Sequence, residues 1–346
     1  MDRFSSRRRG TKRGLVALLA AALLVPLAAG DAAAAAARPF FGVHVRSIDG
    51  GDWGRMQRAN SGTVRTAFNF STAKRHEHAA YDWDRFDRIV RGTAREGLAL
   101  LPVLYGVPSW VPEARKEILE QPVRSVWRRY VEALVRRYGS GGEFWAEHPR
   151  VPYRPVEDWQ VWNEPNSFVN WPEPDPQEYG RFLTRTARAI HRTDPDARVV
   201  SAGVVAEPIN GSAERGARYL RRMFRTSRAA RAVDVIAVHP YARNVAAEKR
   251  LIEDTRQVMD RAGLEKMPLW VTEIGWGRKA DQRKYLRRTL EMTWRQRRRL
   301  RIEGVVWYQW QDGPDHACGW CVSAGLIRDD GVAKALLRIY RTTARR

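Results

Sequence analysis

Residues 157–166 read Glu157-Asp158-Trp159-Gln160-Val161-Trp162-Asn163-Glu164-Pro165-Asn166, and residues 269–276 read Leu269-Trp270-Val271-Thr272-Glu273-Ile274-Gly275-Trp276. Each is a short β-rich apolar run that breaks into a polar tip with one glutamate and then a Pro or Gly. A strand buried on both faces and closed by turn residues has this form in a parallel sheet. Working outward, six further runs have the same character: Phe41–Val45, Thr63–Asn69, Leu98–Leu104, Arg198–Gly203, Val233–His239 and Gly304–Trp310. Together with Glu157–Asn163 and Leu269–Glu273 they make eight strands. Helical patterns lie between them, at Trp83–Glu96, Ser125–Tyr138, Pro176–Thr193, Ala213–Thr226, Glu248–Ala262 and Gln282–Arg299. The one at Pro176 is well marked, with Asp175 as N-cap, Pro at the first helical position and Glu178 in the first turn. Alternation of this kind over about 300 residues predicts an α/β fold, a single-domain (β/α)₈ TIM barrel. The structural alternative, a doubly wound open sheet, lacks its Gly-rich phosphate loop after an early strand.

In such a barrel, chemistry sits at the carboxyl ends of the strands. Strand 2 carries Arg65 and ends in Asn69, strand 4 ends in Asn163-Glu164, and strand 6 ends in His239-Pro240-Tyr241. Strand 7 ends in Thr272-Glu273, and strand 8 in Trp307-Tyr308-Gln309-Trp310-Gln311-Asp312. Polar, titratable and aromatic groups therefore gather on one rim. The two glutamates are 109 residues apart, three β/α units, and face each other across the barrel mouth. Glycoside hydrolysis needs such a pair: one carboxyl donates a proton to the leaving oxygen, the other attacks the anomeric carbon or activates water.

The segments WNEPN at 162–166, HPY at 239–241 and TEIGW at 272–276 resemble clan A of the glycoside hydrolases, with families 5 and 39 closest. The resemblance runs from about Phe41 to Tyr340. Even the end, Gly325-Leu326 followed by Asp330-Gly331 and Lys334, is similar to the last loop and helix of secreted bacterial members, although Ala335 stands where Pro often follows that lysine. The resemblance implies Glu164 as acid/base, Glu273 as nucleophile and Asn163 as a donor to the sugar 2-hydroxyl. It also implies that Arg65 and Tyr241 hold Glu273, that His239 lines the same wall, and that Trp310 lies under the sugar ring. Trp307 competes for that last role, because period-2 alternation turns only one of the two inward. His44 reads equally as a substrate contact or a satisfied core histidine. Trp110, Trp171, Trp276 and Trp320 fall in loops at the same rim, where sugar stacking and core burial are both open. No metal or organic cofactor is implied.

The ends and the composition set the context. Residues 1–13 include six basic side chains, residues 14–29 are apolar and an Ala-rich run follows to Ala37. This order predicts a secretory signal peptide over 1–37, with a mature catalytic domain over 38–346 and a secreted or envelope-associated location. The apolar core is shorter than the roughly 20 residues that span a bilayer. Lys plus Arg number 61 against 39 acids, a formal charge of +22. That charge allows acidic or envelope-associated polysaccharide as the partner, or an ordinary solvated Arg-rich surface. No zinc finger or RNA-recognition signature accompanies it, so no nucleic-acid partner is expected. Cys318 and Cys321 are the two cysteines, and in an exported chain they predict a local disulfide rather than a redox pair. The expectation is a monomeric, secreted, retaining β-glycoside hydrolase acting on a polysaccharide or oligosaccharide. Two rivals are a non-catalytic carbohydrate-binding barrel and a basic envelope-binding protein.

Overall fold

The computed structural model describes residue 1 and residues 39–46, 51–111, 123–208, 213–226, 228–277, 281–313 and 321–345. The expected leader over 1–37, apart from Met1, lies outside them, as do Cys318 and Trp320. Residues Arg38–Arg346 group as one compact unit and Met1–Ala37 as another.

Eight parallel strands close into a barrel in chain order: β1 (Phe41–His44), β2 (Thr63–Asn69), β3 (Ala99–Tyr105), β4 (Asp158–Val161), β5 (Arg198–Val205), β6 (Val235–His239), β7 (Leu269–Ile274) and β8 (Ile302–Trp307). Closure is made by β1 on β8, with Phe41 opposite Val305. Helices cover the outside, so each strand is buried on two faces and neighbouring side chains divide by the period of two. Leu101, Val200, Val235, Ala237 and Trp270 form one small buried cluster, while their chain neighbours Leu100, Val199, Ile236 and Val271 belong to the large one. The small cluster is the apolar plug of the barrel interior and the large one the layer between strands and helices. Arg65, Gln160, Ser201, His239 and Thr272 are also buried on these strands. They are a polar layer that needs internal partners.

The strand boundaries differ from the expected ones where the backbone leaves the ladder. Strand β4 stops at Val161 rather than Asn163, because Trp162 and Glu164 have φ of 72° and 45°, a left-handed conformation that cannot continue a strand. Strand β8 starts two residues early and stops at Trp307, short of Trp310. The helix Pro176–Thr193 has the expected bounds, and the Asp175 carboxylate accepts from Gln177 N at 2.7 Å. The helix Val245–Arg261 starts three residues before the expected Glu248, since Asn244 caps it by accepting from Ala247 N at 2.9 Å. No helix among the described residues is long and apolar enough to cross a membrane.

Helix Val245–Arg261 also buries a carboxyl. Glu248 is fully covered, and its Oε2 accepts from the Thr289 hydroxyl at 2.6 Å. Its Oε1 is buried with no hydrogen-bond partner among the described residues. Burial pushes this carboxyl up to about 8, against the lowering effect of the Thr289 and Trp276 hydrogen bonds. Between the ordinary glutamate value and about 8 the folded chain then holds a proton that the unfolded chain has released, so stability falls as pH rises through that window. Thermal unfolding followed from pH 5 to 9 should show this loss, and Glu248→Gln should flatten it; an unchanged slope in the variant would rule it out.

Candidate active site

The turn after β4 fixes the first glutamate. Glu164 N donates to Gly203 O at 3.1 Å, which ties the left-handed turn to β5. Asn166, fully buried, clamps the same join: its Nδ2 donates to Val205 O at 2.9 Å and its Oδ1 accepts from Val205 N at 3.1 Å. Gly203 is required by a close approach, because a Cβ there would lie 2.0 Å from His239 Nε2. The missing side chain leaves room for the imidazole beside Glu164.

Around this turn the strand ends bring the expected residues together. Oxygens of Glu164 and Glu273 and a ring nitrogen of His239 lie within 4.8 Å of one another. Arg65, 1 % exposed, donates through Nη1 to Glu273 Oε1 at 2.5 Å and through Nη2 to Asn163 Oδ1 at 2.8 Å. Tyr241 Oη donates to Glu273 Oε2 at 2.9 Å. His239 Nδ1 is 2.7 Å from Glu164 Oε1 and 3.7 Å from Glu273 Oε2. With two carboxylate oxygens before it, Nδ1 carries the proton, and Nε2 faces the Thr272 hydroxyl at 3.0 Å.

The electrostatics of the two carboxyls differ. Burial opposes ionisation of Glu273, but the adjoining His239 and the fixed Arg65 cation, with the Tyr241 hydroxyl, outweigh it and hold this carboxyl well below the usual range. Tyr241 is pushed well above the ordinary tyrosine value, by burial first and by the Glu273 charge second, so it stays a donor. Among the described residues Glu164 touches no arginine or lysine; its side-chain partners there are His239 and the Asn170 amide, which donates to Oε2 at 3.2 Å. Replacing Arg65 by Gln should therefore move the acid limb of kcat/KM to higher pH by about one to three pH units, because Glu273 loses its cation and must still be ionised to attack. Arg65→Lys should recover part of that shift, and an acid limb that stays in place in both variants would count against the pairing.

Sequence reasoning missed several neighbours. Gln160 is fully buried: its Oε1 accepts from Arg65 Nε at 2.7 Å and its Nε2 donates to the Thr272 hydroxyl at 3.1 Å. It thus links the Arg65–Glu273 pair to the Thr272–His239–Glu164 series. The available signal was a polar residue inside an otherwise apolar buried strand. Asn170 is held by the Tyr105 hydroxyl at 2.9 Å, and no sequence pattern marks it. His44 accepts from Arg65 Nη1 at 3.0 Å and stacks on Tyr308. Burial first and Arg65 second lower His44 to about 3, so it is neutral.

The aromatic expectations need correction. Alternation cannot choose between Trp307 and Trp310, because β8 ends before Trp310. Trp307 is buried and donates to Ala324 O at 3.1 Å. Trp310 is 2 % exposed and presents almost no ring face. The ring at the cluster is Tyr308, stacked on His44 at 4.9 Å and edge-on to Tyr241 at 6.5 Å. Trp171 and Trp276 are also buried, the first donating to Glu178 Oε2 at 3.1 Å and the second stacked on Tyr285 at 4.4 Å. Trp110 is half-buried and donates to Lys74 O at 3.0 Å. Cys321 is buried and holds no free thiol.

Two hollows are lined by residues that hydrogen-bond the carboxyls, Asn170 in one and Tyr241 in the other. One of about 230 Å³ lies on the Glu164 side, lined by Tyr105, Trp162 and Asn170; one of about 770 Å³ lies on the Glu273 side, walled by Tyr241 and Trp276. Among the described residues, Glu164, His239 and Glu273 have donor atoms close enough to share a cation. Their lone pairs, however, already face the N–H groups of Arg65, His239 and Asn170 and the Tyr241 hydroxyl, a donor set that suits organic acid–base work better than metal ligation.

A family described as glycosyl hydrolase catalytic core matches residues 159–340, just over half of the chain, and takes in both glutamates. The chain belongs to that family. The chain has the fold of solved family 39 and family 5 glycoside hydrolases. A family 39 glycoside hydrolase from Bacteroides cellulosilyticus superposes with a TM-score of 0.66 at 20% identity, over 89% of this chain and 64% of that one. A monomeric beta-xylosidase from Caulobacter crescentus gives 0.65 at 18% identity, over 87% and 67%. A family 5 enzyme from Bifidobacterium longum, in complex with Manb1-4GlcNAc, gives 0.64 at 14% identity, over 88% and 77%. The chain thus spans slightly less than two thirds of the first of these proteins. No curated protein matches it.

Proposed function

We propose that this glycosyl hydrolase cleaves β-glycosidic bonds of a polysaccharide or oligosaccharide with retention, Glu273 acting as nucleophile and Glu164 as acid/base. The separation of the two carboxyls carries the reading. Oxygens within 4.8 Å suit the roughly 5–5.5 Å of retaining enzymes and leave no room for the water that separates inverting carboxyls by about 6.5–9.5 Å. The environments divide the roles. Glu273, ionised between Arg65 and Tyr241, attacks the anomeric carbon and forms a glycosyl ester. Glu164 passes a proton to the departing oxygen, then takes one from the incoming water as that ester is broken. With the Asn163 carbonyl oxygen occupied by Arg65, its amide NH₂ is the end left for a sugar hydroxyl. Tyr308 supplies the aromatic wall expected of Trp310.

Hydrolysis of a panel of aryl β-glycosides and of neutral and acidic β-linked polysaccharides tests the reading. Turnover that is lost in both glutamate variants supports it. Sugar binding without turnover by any substrate would favour a non-catalytic barrel, and steeply salt-dependent envelope binding without turnover would favour the basic-surface alternative. We propose export as well, on the basic, apolar and small-residue order of residues 1–37.

A further inference from the structure

The hollow on the Glu273 side differs from an ordinary sugar subsite in its charge. It measures about 770 Å³, within the range of small-molecule sites. Tyr241, whose hydroxyl donates to Glu273, forms part of its wall, so a saccharide unit held there lies next to the cleavage point. Arg215, Arg243 and Arg250 line it against Glu207 and Asp254. Glu207 is already neutralised by Arg215 at 2.9 Å. Arg243 and Arg250 are exposed and have no ion pair among the described residues, which leaves two free cations against the single carboxylate of Asp254. The N-terminus of the 17-residue helix Val245–Arg261 lies on the same wall, through Asn244 and Ala247. Its dipole adds positive potential at the place where the two arginines stand.

A neutral sugar offers the two guanidinium groups only hydroxyl oxygens as acceptors, whereas a carboxylate fits the planar fork of arginine and adds paired, charge-assisted hydrogen bonds. We propose that this hollow is a subsite for a uronate, so that the substrate is an acidic β-linked polysaccharide whose sugar carboxylate is taken by Arg243 and Arg250. The inference rests on the glycosidase reading of the same site and narrows its substrate class. The net charge of +22 acts in the same direction at long range, drawing a polyanion towards the barrel until salt screens it.

The test compares β-1,4-glucuronan oligosaccharides with the same oligosaccharides after reduction of their carboxyls to alcohols, which keeps backbone and linkage. Binding is measured by calorimetry on the full chain carrying Glu164→Gln, so that turnover does not consume the ligand. The acidic form should bind at least about tenfold more tightly at low salt. Arg243→Ala with Arg250→Ala should remove that preference, while Arg124→Ala with Arg188→Ala, two basic residues in a groove on the outer helices, should keep it. Equal affinity for the two forms, no binding of either, or a preference that survives the first pair of substitutions or vanishes with the second overturns the proposal. The glycosidase reading fails separately, by absence of turnover of every aryl glycoside and every polysaccharide in the panel, acidic ones included, by the chain without substitutions.

Discussion

Glu273→Ala is expected to lower turnover by about 10⁴-fold or more, roughly 5.4 kcal/mol of barrier, because no covalent intermediate can form without the carboxylate. The loss is a chemical one in this account. Glu273 receives Arg65 on one oxygen and the Tyr241 hydroxyl on the other, so the variant keeps the electrostatic frame and lacks only the attacking atom. A small external anion can occupy the vacated space beside Arg65. Azide should therefore restore part of the rate with an activated aryl glycoside and give a glycosyl azide of inverted configuration, since it attacks directly from the face Glu273 had used. Rates are read by release of the chromophore and the product by proton NMR. Retained product from this variant would mean that the roles of the two glutamates are reversed.

Glu164→Ala should act on a different step. A general acid is worth about 10²–10⁴-fold, and only where the leaving group needs a proton. Substrates with poor leaving groups should slow by that amount, while dinitrophenyl glycosides should still form the intermediate and show a burst of chromophore. Deglycosylation then stalls because no base activates water, and azide should release a glycosyl azide of retained configuration. The loss of Glu164 also frees His239 Nδ1 and Asn170 Nδ2, which water entering the vacated space can satisfy. The variant should therefore unfold near the wild-type temperature, which separates lost chemistry from lost structure.

Much of this arrangement was legible in the sequence because strand order and polarity dictate it. Eight buried runs with helices between them have one closed solution, and a titratable residue at the carboxyl end of such a run has only the barrel mouth to face. Glu164, Glu273, His239 and Tyr241 were readable for that reason, and Arg65 and Asn163 through the resemblance carried by the segments around the two glutamates. What was not readable follows from geometry that no periodicity encodes. The left-handed residues Trp162 and Glu164 end β4 early, and β8 ends before Trp310, so the ring that the resemblance placed at Trp310 is Tyr308 at the cluster, and alternation could not have found it. Asn170 reaches Glu164 from an irregular loop, where residue type carries no positional information. Arg243 and Arg250 were hidden for a different reason: in a chain with 61 basic residues, two more arginines stand out only once the hollow beside Tyr241 is seen.

Proton NMR of the reaction mixture in the first minutes, before mutarotation, follows the anomer released from a β-glycoside. Under the proposed double displacement the β-anomer appears first and the α-anomer grows in only as equilibrium is approached. Initial release of the α-anomer would rule that mechanism out, since a single displacement by water goes with carboxyls about 6.5–9.5 Å apart, wider than the 4.8 Å within which oxygens of Glu164 and Glu273 lie.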